Sequence, residues 1–331
     1  MTELYPIRFE PILKEKVWGG NKLVNKFGKI AANDLPLGES WEISGLTGDE
    51  SIVANGFLAG NNLNELLEVY MGDLSGDSVY EKFGDEFPLL IKFIDATDNL
   101  SVQVHPNDEL ATELHHAYGK SEMWYILSAE ENSVIYCGFK AGTDKQQYQA
   151  ALENGSLPDL LNGIKVKRGD SFWLPAGTIH AIGSGIVLAE IQQASDITYR
   201  VFDWNRPGAD GQPRELHTEL AERALDFSTK GGKTELPKPA PNSTNNLVKS
   251  EYFTTNLLSL SNTLSRDYNL LDSFVILICV DGQSVLHWEH GTETITSGES
   301  ILIPASVRDI TLEPKPSCTL LEVYINLKPT N

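Results

Sequence analysis

The 331-residue sequence predicts a protein dominated by β structure and built from two β modules of similar plan. Many short apolar runs are bounded by glycine, proline, asparagine and aspartate, which favours all-β structure over alternating strand–helix–strand units. Residues 169–176 (GDSFWLPA) resemble residues 298–305 (GESILIPA), and residues 132–135 resemble residues 283–286. The number of residues between the two copies is not the same for these two pairs of segments. The difference is about the length of a predicted helical insertion at residues 141–162. Chance or shared turn chemistry is the alternative explanation for so short a repeat.

The first hundred residues combine strand patterns with one helical pattern. Residues 38–44 alternate like a strand, and residues 89–94 form an apolar strand interrupted by Lys92. Residues 63–70 carry apolar side chains at helical spacing, and Gly72 predicts the end of that helix.

Between residues 101 and 154 the patterns predict strands separated by two helices. Residues 101–105 alternate polar residues with valine, and Pro106 ends this strand. Asn107 can cap a helix that runs to residue 118, and Thr143 can cap a helix that runs to residue 154. The strands expected between these helices are residues 123–127 and 133–137.

The remaining patterns define the domain organisation. Residues 171–174 and 186–191 are predicted as strands and residues 216–225 as a helix. Residues 228–246 are rich in Lys, Gly, Pro, Ser, Thr and Asn, which is typical of a linker. Short strands then resume. We therefore expect a first module with helical insertions, a linker and a C-terminal β module, over residues 1–230, 231–246 and 247–331.

Four residues on separate strand-like segments carry the ligand chemistry of a divalent metal. Successive side chains of a strand alternate faces, so Gln103 and His105 point the same way, with Ser101 beside them. Glu122 and His180 follow in later segments. Imidazole nitrogen with carboxylate or amide oxygen suits zinc, and a set with two histidines and one carboxylate can also hold iron. If these side chains converge, the first module is an enzyme or a metal-dependent sugar binder.

The C-terminal module lacks this ligand set. In the repeat alignment Asp309 stands opposite His180, and Ser273 stands opposite Glu122. We therefore expect a second module that is metal-free and structural.

Composition excludes several classes of partner. The formal net charge of −20 argues against nucleic acid, which needs a basic surface, and against acidic membranes. The three cysteines, Cys137, Cys279 and Cys318, have no CxxC spacing, which predicts buried free thiols in a reducing compartment. Neither a leader pattern nor an apolar run of about 18 residues occurs. We expect a cytoplasmic protein that is a monomer or a weak homo-oligomer.

Several short motifs, taken in order, resemble one family. These motifs are Trp18-Gly19-Gly20, residues 38–42 (GESWE), residues 103–106 (QVHP), residues 119–122 (GKSE), residues 174–182 (LPAGTIHAI) and residues 199–203 (YRVFD). A metal held inside a double-stranded β-helix is the arrangement of the cupins, which the ligand set resembles. Within the cupins, the motifs resemble type I mannose-6-phosphate isomerase in its short bacterial form.

The resemblance implies two cupin-like jelly-roll modules and one Zn²⁺ ion per chain. It implies that the zinc ligands are Gln103, His105, Glu122 and His180. It implies a substrate pocket that contains Lys92, Ser101 and Lys120. Some members of the family place a tyrosine two residues after the last histidine ligand, where this sequence has Ile182.

The resemblance also implies catalytic residues. Arg200 matches the catalytic arginine of the family, Lys120 belongs to the reacting site, and Glu190 matches an acidic residue near the metal less securely. Trp18 precedes a Gly-Gly turn, so it is expected to line the pocket rim. Ion pairs with nearby aspartates are the alternative for Arg200. A snorkelling side chain is the alternative for Lys92, whose charge is costly in an apolar strand unless it is used.

The implied reaction interconverts D-mannose 6-phosphate and D-fructose 6-phosphate by proton transfer through a cis-enediol. Which group moves the proton is left open between His, Lys, Glu and metal-bound water. Two other functions stay open: a redox cupin such as an iron dioxygenase, and a non-catalytic module that binds a sugar phosphate with a metal.

Overall fold

Antiparallel strands form most of the regular structure in this computed structural model, which describes residues 3–33, 35–208, 211–228, 231–235 and 240–327. This confirms the predicted fold class. The strands in chain order are β1 (Ile12–Gly20), β2 (Leu37–Ile43), β3 (Leu89–Ala96), β4 (Val102–Val104), β5 (Glu122–Ala129), β6 (Val134–Phe139), β7 (Leu161–Lys165), β8 (Ser171–Leu174), β9 (His180–Ile182), β10 (Ile186–Gln193), β11 (Tyr199–Phe202), β12 (Gly232–Lys233), β13 (Thr244–Lys249), β14 (Thr254–Leu260), β15 (Leu264–Asp267), β16 (Val275–Trp288), β17 (Gly291–Thr296), β18 (Ser300–Ile303) and β19 (Asp309–Tyr324). The helices are α1 (Lys22–Phe27), α2 (Leu63–Ser75), α3 (Asp77–Phe83), α4 (Asp108–His115), α5 (Lys145–Asn154) and α6 (Thr218–Ala224).

The predicted helices are present, but some of their ends differ. The first continues past Gly72 to Ser75 through a kink at Met71, whose φ is 46°, because Leu74 packs into the core. α3 follows directly and was not predicted. α4 ends at a left-handed His116 with φ 54°, three residues before the predicted stop at Gly119.

The predicted cap of α5 is shifted by one residue. Asp144 rather than Thr143 is the N-cap, because its carboxylate accepts from the Gln147 backbone N–H while the Gln147 side chain accepts from the Asp144 N–H. Gly155 ends this helix in the left-handed conformation, with φ 74°.

Two sheets enclose the interior of the first module. The seven-stranded sheet has the order β1-β2-β3-β10-β5-β8-β12, and the five-stranded sheet has the order β11-β4-β9-β6-β7. A buried cluster between them takes Trp124 and Leu188 from the first sheet and Ile135 and Ile182 from the second. Helices α5 and α6 cover the outer face of the five-stranded sheet through Tyr148 and Ala221. The space between the two sheets is therefore the interior of the barrel.

The C-terminal strands form a third sheet with the order β13-β14-β19-β16-β17, in which β15 also pairs with β19 and β18 with β16. The repeat seen in the sequence occupies equivalent places in the two modules. Gly169 and Gly298 have φ of 88° and 91° and lie in the turns before β8 and β18. Both positions need a residue that accepts positive φ, which glycine does without steric cost.

The two modules pack against each other through an apolar layer. Phe87 lies against Phe274 with ring centroids 4.7 Å apart, and Trp173 meets Phe253 edge-on at 5.7 Å. Within the predicted linker, β12 pairs with β8, and β13 begins at Thr244. Residues 236–239 of that linker lie outside the described residues, as does the boundary at residue 230. The division into domains stays a prediction.

Two smaller expectations can be compared with the structure. The three cysteines are buried and free, as predicted. Within the described ranges, every helix is too short or too polar to cross a lipid bilayer.

Candidate metal centre and substrate cavity

One row of side chains crosses the five-stranded sheet. In the strand register, Arg200 of β11 pairs with Gln103 of β4, and Gln103 pairs with His180 of β9. Residues that pair directly across antiparallel strands project to the same face of the sheet. Three of the predicted site residues are therefore neighbours although they are up to 97 positions apart in the sequence.

A second row crosses the seven-stranded sheet. Lys92 of β3 pairs with Trp41 on one side and with Glu190 of β10 on the other, and Glu190 pairs with Trp124 of β5. The Trp124 ring meets the His180 ring edge-on, with centroids 5.3 Å apart. The two rows therefore face each other across the barrel interior.

Three of the four predicted ligands converge at the junction of these rows. One ligand atom each from His105, Glu122 and His180 lies within 4.8 Å of the others, and all three residues are buried. His105 follows β4, while Glu122 and His180 begin β5 and β9. Such a cluster can hold a metal ion.

Hydrogen bonds fix which nitrogen of each imidazole faces the centre. His105 Nδ1 lies 2.8 Å from the Ile197 carbonyl oxygen, and His180 Nδ1 lies 2.8 Å from the Thr178 carbonyl oxygen. A carbonyl only accepts, so each Nδ1 carries the hydrogen and each Nε2 presents a lone pair. These backbone contacts set the tautomer that metal binding requires.

The Glu122 carboxylate completes a set of acceptors. Its Oε1 lies 3.3 Å from His180 Nε2 and accepts no hydrogen bond from the described residues. Two acceptors in contact repel each other, and a buried carboxylate oxygen without a donor is costly. A cation between them would remove both penalties, so the donor set fits a divalent metal.

The protonation states agree with this interpretation. Burial lowers the pKa of His180 to about 4 and lowers the pKa of His105 well below its usual value, so both imidazoles are neutral near pH 7. Burial raises the pKa of the Glu122 carboxyl to about 7, although Lys120 opposes this shift. A bound cation would favour the ionised carboxylate.

Two further predicted residues touch the ligand group. Lys120 Nζ lies 3.0 Å from His105 Nε2 and forms a close ion pair with Glu122. Gln103 Nε2 lies 3.2 Å from His180 Nε2. Turning the Gln103 amide by half a rotation would direct its oxygen to the same point.

A cavity of about 380 Å³ lies beside the ligand group. It is large enough for a hexose phosphate, since small-molecule sites start at about 300 Å³. Every residue assigned above to catalysis or substrate binding lines this cavity: Trp18, Lys92, Ser101, Lys120, Glu190 and Arg200. Gln103 and Lys120 connect it to the ligand group, and Ile182 lines it in place of the tyrosine of some family members.

Buried charge pairs fix the side chains on the cavity wall. Lys92 Nζ lies 3.2 Å from Glu190 Oε1, and Trp124 Nε1 donates to Glu190 Oε2 at 2.9 Å. Burial by itself would raise the pKa of Glu190, but Lys92 and Lys120 outweigh it and hold the pKa below its usual value. Glu190 is therefore an ionised carboxylate in a nearly dry site.

Comparison with known proteins shows which family the chain resembles over its length. The type I phosphomannose isomerase catalytic domain matches residues 7–133, and the mannose-6-phosphate isomerase cupin domain matches residues 243–325. Mannose-6-phosphate isomerase ManA of Bacillus subtilis is 33% identical over 95% of this chain and 97% of its own length. The chain belongs to the type I phosphomannose isomerase family.

Further relatives agree with this assignment. Mannose-6-phosphate isomerase of Streptococcus mutans is 35% identical and covers 92% of this chain and 93% of its own length. The crystal structure of mannose 6-phosphate isomerase from Bacillus subtilis superimposes with a TM-score of 0.87, at 33% identity, over 97% of this chain and all of that chain.

The cavity of this family member also contains charged and aromatic residues that the sequence analysis did not identify. They include Lys14 and Lys16 of β1, Glu39 and Trp41 of β2, Asp49 and Arg214. Lys14, Lys16 and Trp18 share one strand face, since they are two residues apart. This spacing was an available signal. The contribution of Arg214 depends on a loop whose path no local pattern predicts.

Proposed function

We propose that the protein is a zinc-dependent aldose–ketose isomerase that interconverts D-mannose 6-phosphate and D-fructose 6-phosphate. The observation that supports this most directly is the convergence of His105, Glu122 and His180 beside a cavity that contains Lys92, Lys120, Glu190 and Arg200. Family membership supports the same reaction.

Gln103, His105, Glu122 and His180 would hold one Zn²⁺ ion through two nitrogens and two oxygens. When bound, this ion supplies Lewis-acid polarisation of the oxygens of the sugar. One carboxylate in the ligand set leaves a net positive charge, which suits a reaction that develops negative charge on oxygen.

The positively charged side chains that line the cavity differ in their exposure to solvent. The side chains of Lys120 and Lys92 are 4% and 8% exposed, whereas those of Lys14, Lys16 and Arg214 are 23–35% exposed. We assign the phosphate of the substrate to the outer, hydrated part of the cavity and the reacting carbons to the inner part. Lys92 and Ser101 then lie along the sugar, and Trp18 lies against it.

The inner residues have the charges that proton transfer requires. Ionised Glu190 can accept the proton that leaves C2 of the aldose and return it to C1 of the cis-enediol, while the proton of the C2 hydroxyl passes to the C1 oxygen. The ammonium of Lys120 and the guanidinium of Arg200 would stabilise the enediol oxygens. No electron leaves the sugar, so no redox partner is needed.

The decisive experiment is turnover of mannose 6-phosphate by the purified protein in chelated and zinc-restored samples. We expect that chelation abolishes turnover, that zinc restores it, and that metal analysis finds one ion per chain. His105→Ala should lose both metal and turnover. His287→Ala is the matched control, because His287 pairs with Glu313 in the C-terminal module.

Other outcomes would favour the remaining candidates. Oxygen consumption with bound iron would indicate a redox cupin, and binding of mannose 6-phosphate without turnover would indicate a non-catalytic sugar-phosphate module. The cytoplasmic location and the monomeric or weakly associated state stay predictions. Size-exclusion chromatography with light scattering would test the oligomeric state.

A further inference from the structure

The strand that carries Arg200 lies at the edge of its sheet. β11 pairs with β4 on one side and is the terminal strand of the described sheet on the other. An edge strand leaves backbone N–H and C=O groups without a strand partner. In this protein the segment that precedes α6 supplies these partners.

His217 bonds both free backbone groups of Arg200. The Arg200 N–H donates to His217 Nδ1 at 3.2 Å, and the His217 N–H donates to the Arg200 carbonyl at 2.7 Å. Two residues earlier, the Glu215 carbonyl accepts from Arg200 Nη1 at 2.8 Å. Three hydrogen bonds from one short segment therefore hold the backbone and the side chain of Arg200.

The position of His217 at the start of α6 makes this arrangement unusual. His217 is the N-cap of α6, but its side chain makes no capping hydrogen bond to the helix. Serine, threonine, asparagine and aspartate are the common residues at this position because their side chains cap the helix. Here the imidazole turns away from the helix and accepts from the strand, so its bond to Arg200 replaces a cap.

Arg200 has few other contacts that would hold it. Within the described residues it forms no ion pair, and its buried Nε atom has no hydrogen-bond partner. The nearby carboxylate of Asp203 instead binds Arg206 at 2.9 Å and Arg214 at 2.6 Å. A flexible guanidinium beside two other guanidinium groups would move away unless other bonds hold it.

We propose that His217 is a positioning residue that holds Arg200 in the geometry needed for catalysis. The proposal rests on the isomerase function proposed above, because only then does the placement of Arg200 affect turnover. Arg200 lies in register with Gln103, so a shift of β11 would move the guanidinium relative to the ligand group as well.

Three variants of His217 separate positioning from packing. His217→Asn keeps an acceptor oxygen at the place of Nδ1. His217→Gln carries the same amide one methylene group further from the backbone, and His217→Ala has no acceptor. We expect kcat to fall about tenfold in His217→Ala and His217→Gln, the size of one lost hydrogen bond, with KM changed less than about twofold. We expect His217→Asn to stay within about twofold of the wild type.

A double-variant cycle shows whether the effect passes through Arg200. In an Arg200→Met background, His217→Ala should change kcat less than about twofold, because the side chain it positions is gone. An undiminished tenfold loss in that background would overturn the proposal, as would normal kcat in His217→Gln. If His217→Ala does not fold, the comparison of His217→Asn with His217→Gln still decides.

Hydrogen exchange distinguishes failure of this proposal from failure of the isomerase assignment. The amide of Arg200 should exchange faster in His217→Gln than in the wild type or His217→Asn, whatever reaction the protein catalyses. A wild type without turnover would overturn the isomerase function. Equal exchange in all three proteins would overturn the hydrogen bond from Arg200 to His217.

Discussion

Glu122 of the first module and Glu322 of the C-terminal module are both completely buried carboxylates, but their surroundings differ. In the C-terminal module Glu322 accepts two hydrogen bonds from Arg266 at 2.8 and 2.9 Å, one from Tyr268 at 2.8 Å and one from Asn256 at 2.9 Å. In the first module Glu122 keeps one oxygen without a donor, facing an imidazole lone pair. A carboxylate with both oxygens hydrogen-bonded is satisfied within the fold, whereas a carboxylate oxygen that faces another acceptor fits a cation site.

The two modules also differ in the side chains that fill their interiors. The interior of the C-terminal module is filled by apolar residues such as Leu277, Leu286 and Leu320. Asp309 begins β19 as His180 begins β9, but its side chain is exposed. Similar β plans therefore accommodate a cluster of candidate metal ligands in one module and an apolar core in the other.

The largest expected effect concerns Glu122, the buried carboxylate of the first module that has one oxygen without a hydrogen-bond donor. Glu122→Gln removes the charge that balances the metal, so kcat/KM should fall at least about 10³-fold, since several kcal/mol of transition-state stabilisation depend on the ion. Metal analysis of the purified variant should show less than one ion per chain. A variant that keeps both metal and turnover would remove Glu122 from the ligand set.

The next effect tests the charged wall opposite the ligand group. Lys92→Met removes the cation that lowers the pKa of Glu190, so Glu190 becomes protonated at a higher pH. We expect kcat/KM at neutral pH to fall about 10²-fold and activity to be lost at a higher pH on acidification than in the wild type.

The control for this prediction is Lys16→Met, because Lys16 pairs with Glu39 at 3.3 Å rather than with Glu190. The acid limb of its pH–rate profile should match that of the wild type. An acid limb that does not move in Lys92→Met would show that ionised Glu190 is not the essential base.

A smaller effect is expected in the C-terminal module. Glu322→Gln replaces one acceptor oxygen with an NH2 donor that faces the donors of Arg266 and Asn256, and it removes the charge that balances Arg266, so the free energy of unfolding should fall by about 2–3 kcal/mol. Turnover per folded molecule should stay within about twofold of the wild type, since Glu322 touches no residue of the cavity. Urea unfolding and steady-state kinetics measure the two quantities. Loss of turnover in the folded variant would mean that this module takes part in catalysis.

The smallest effect concerns a buried neutral group. Thr255 is fully buried, and its hydroxyl has no hydrogen-bond partner among the described residues. Thr255→Val keeps the shape and removes the unbonded hydroxyl, so the free energy of unfolding should rise by about 1 kcal/mol without a change in kcat. Thermal unfolding would check this. A fall in stability would mean that the hydroxyl is bonded in solution.

Much of this molecule follows from local sequence patterns. The predicted strands lie within two residues of their observed ends, because alternation or a short continuous apolar run marks a strand directly. The kink at Met71 and the left-handed His116 were missed, because tertiary packing rather than local preference sets where those helices turn.

The candidate site was predictable to a similar degree. The amino-acid types of Gln103, His105, Glu122 and His180, together with the resemblance of their motifs, are enough to indicate a metal site. Trp41 and Glu39 were named only within the motif of residues 38–42 and not as site residues, because an aromatic or acidic residue on a strand is more often part of the core or the surface. Their neighbours across β1 and β3 give them a place in the cavity.

The sequence by itself determined the β class, the faces of individual strands and the ligand chemistry, because each depends on side-chain type and a period of two residues. Only the tertiary structure decided that Arg200, Gln103 and His180 form one row opposite Lys92 and Glu190, and that His217 bonds the edge of that row. The physical reason is register. Pairing between strands far apart in the chain depends on packing of the whole sheet, and a shift of one residue would turn each of these side chains to the other face.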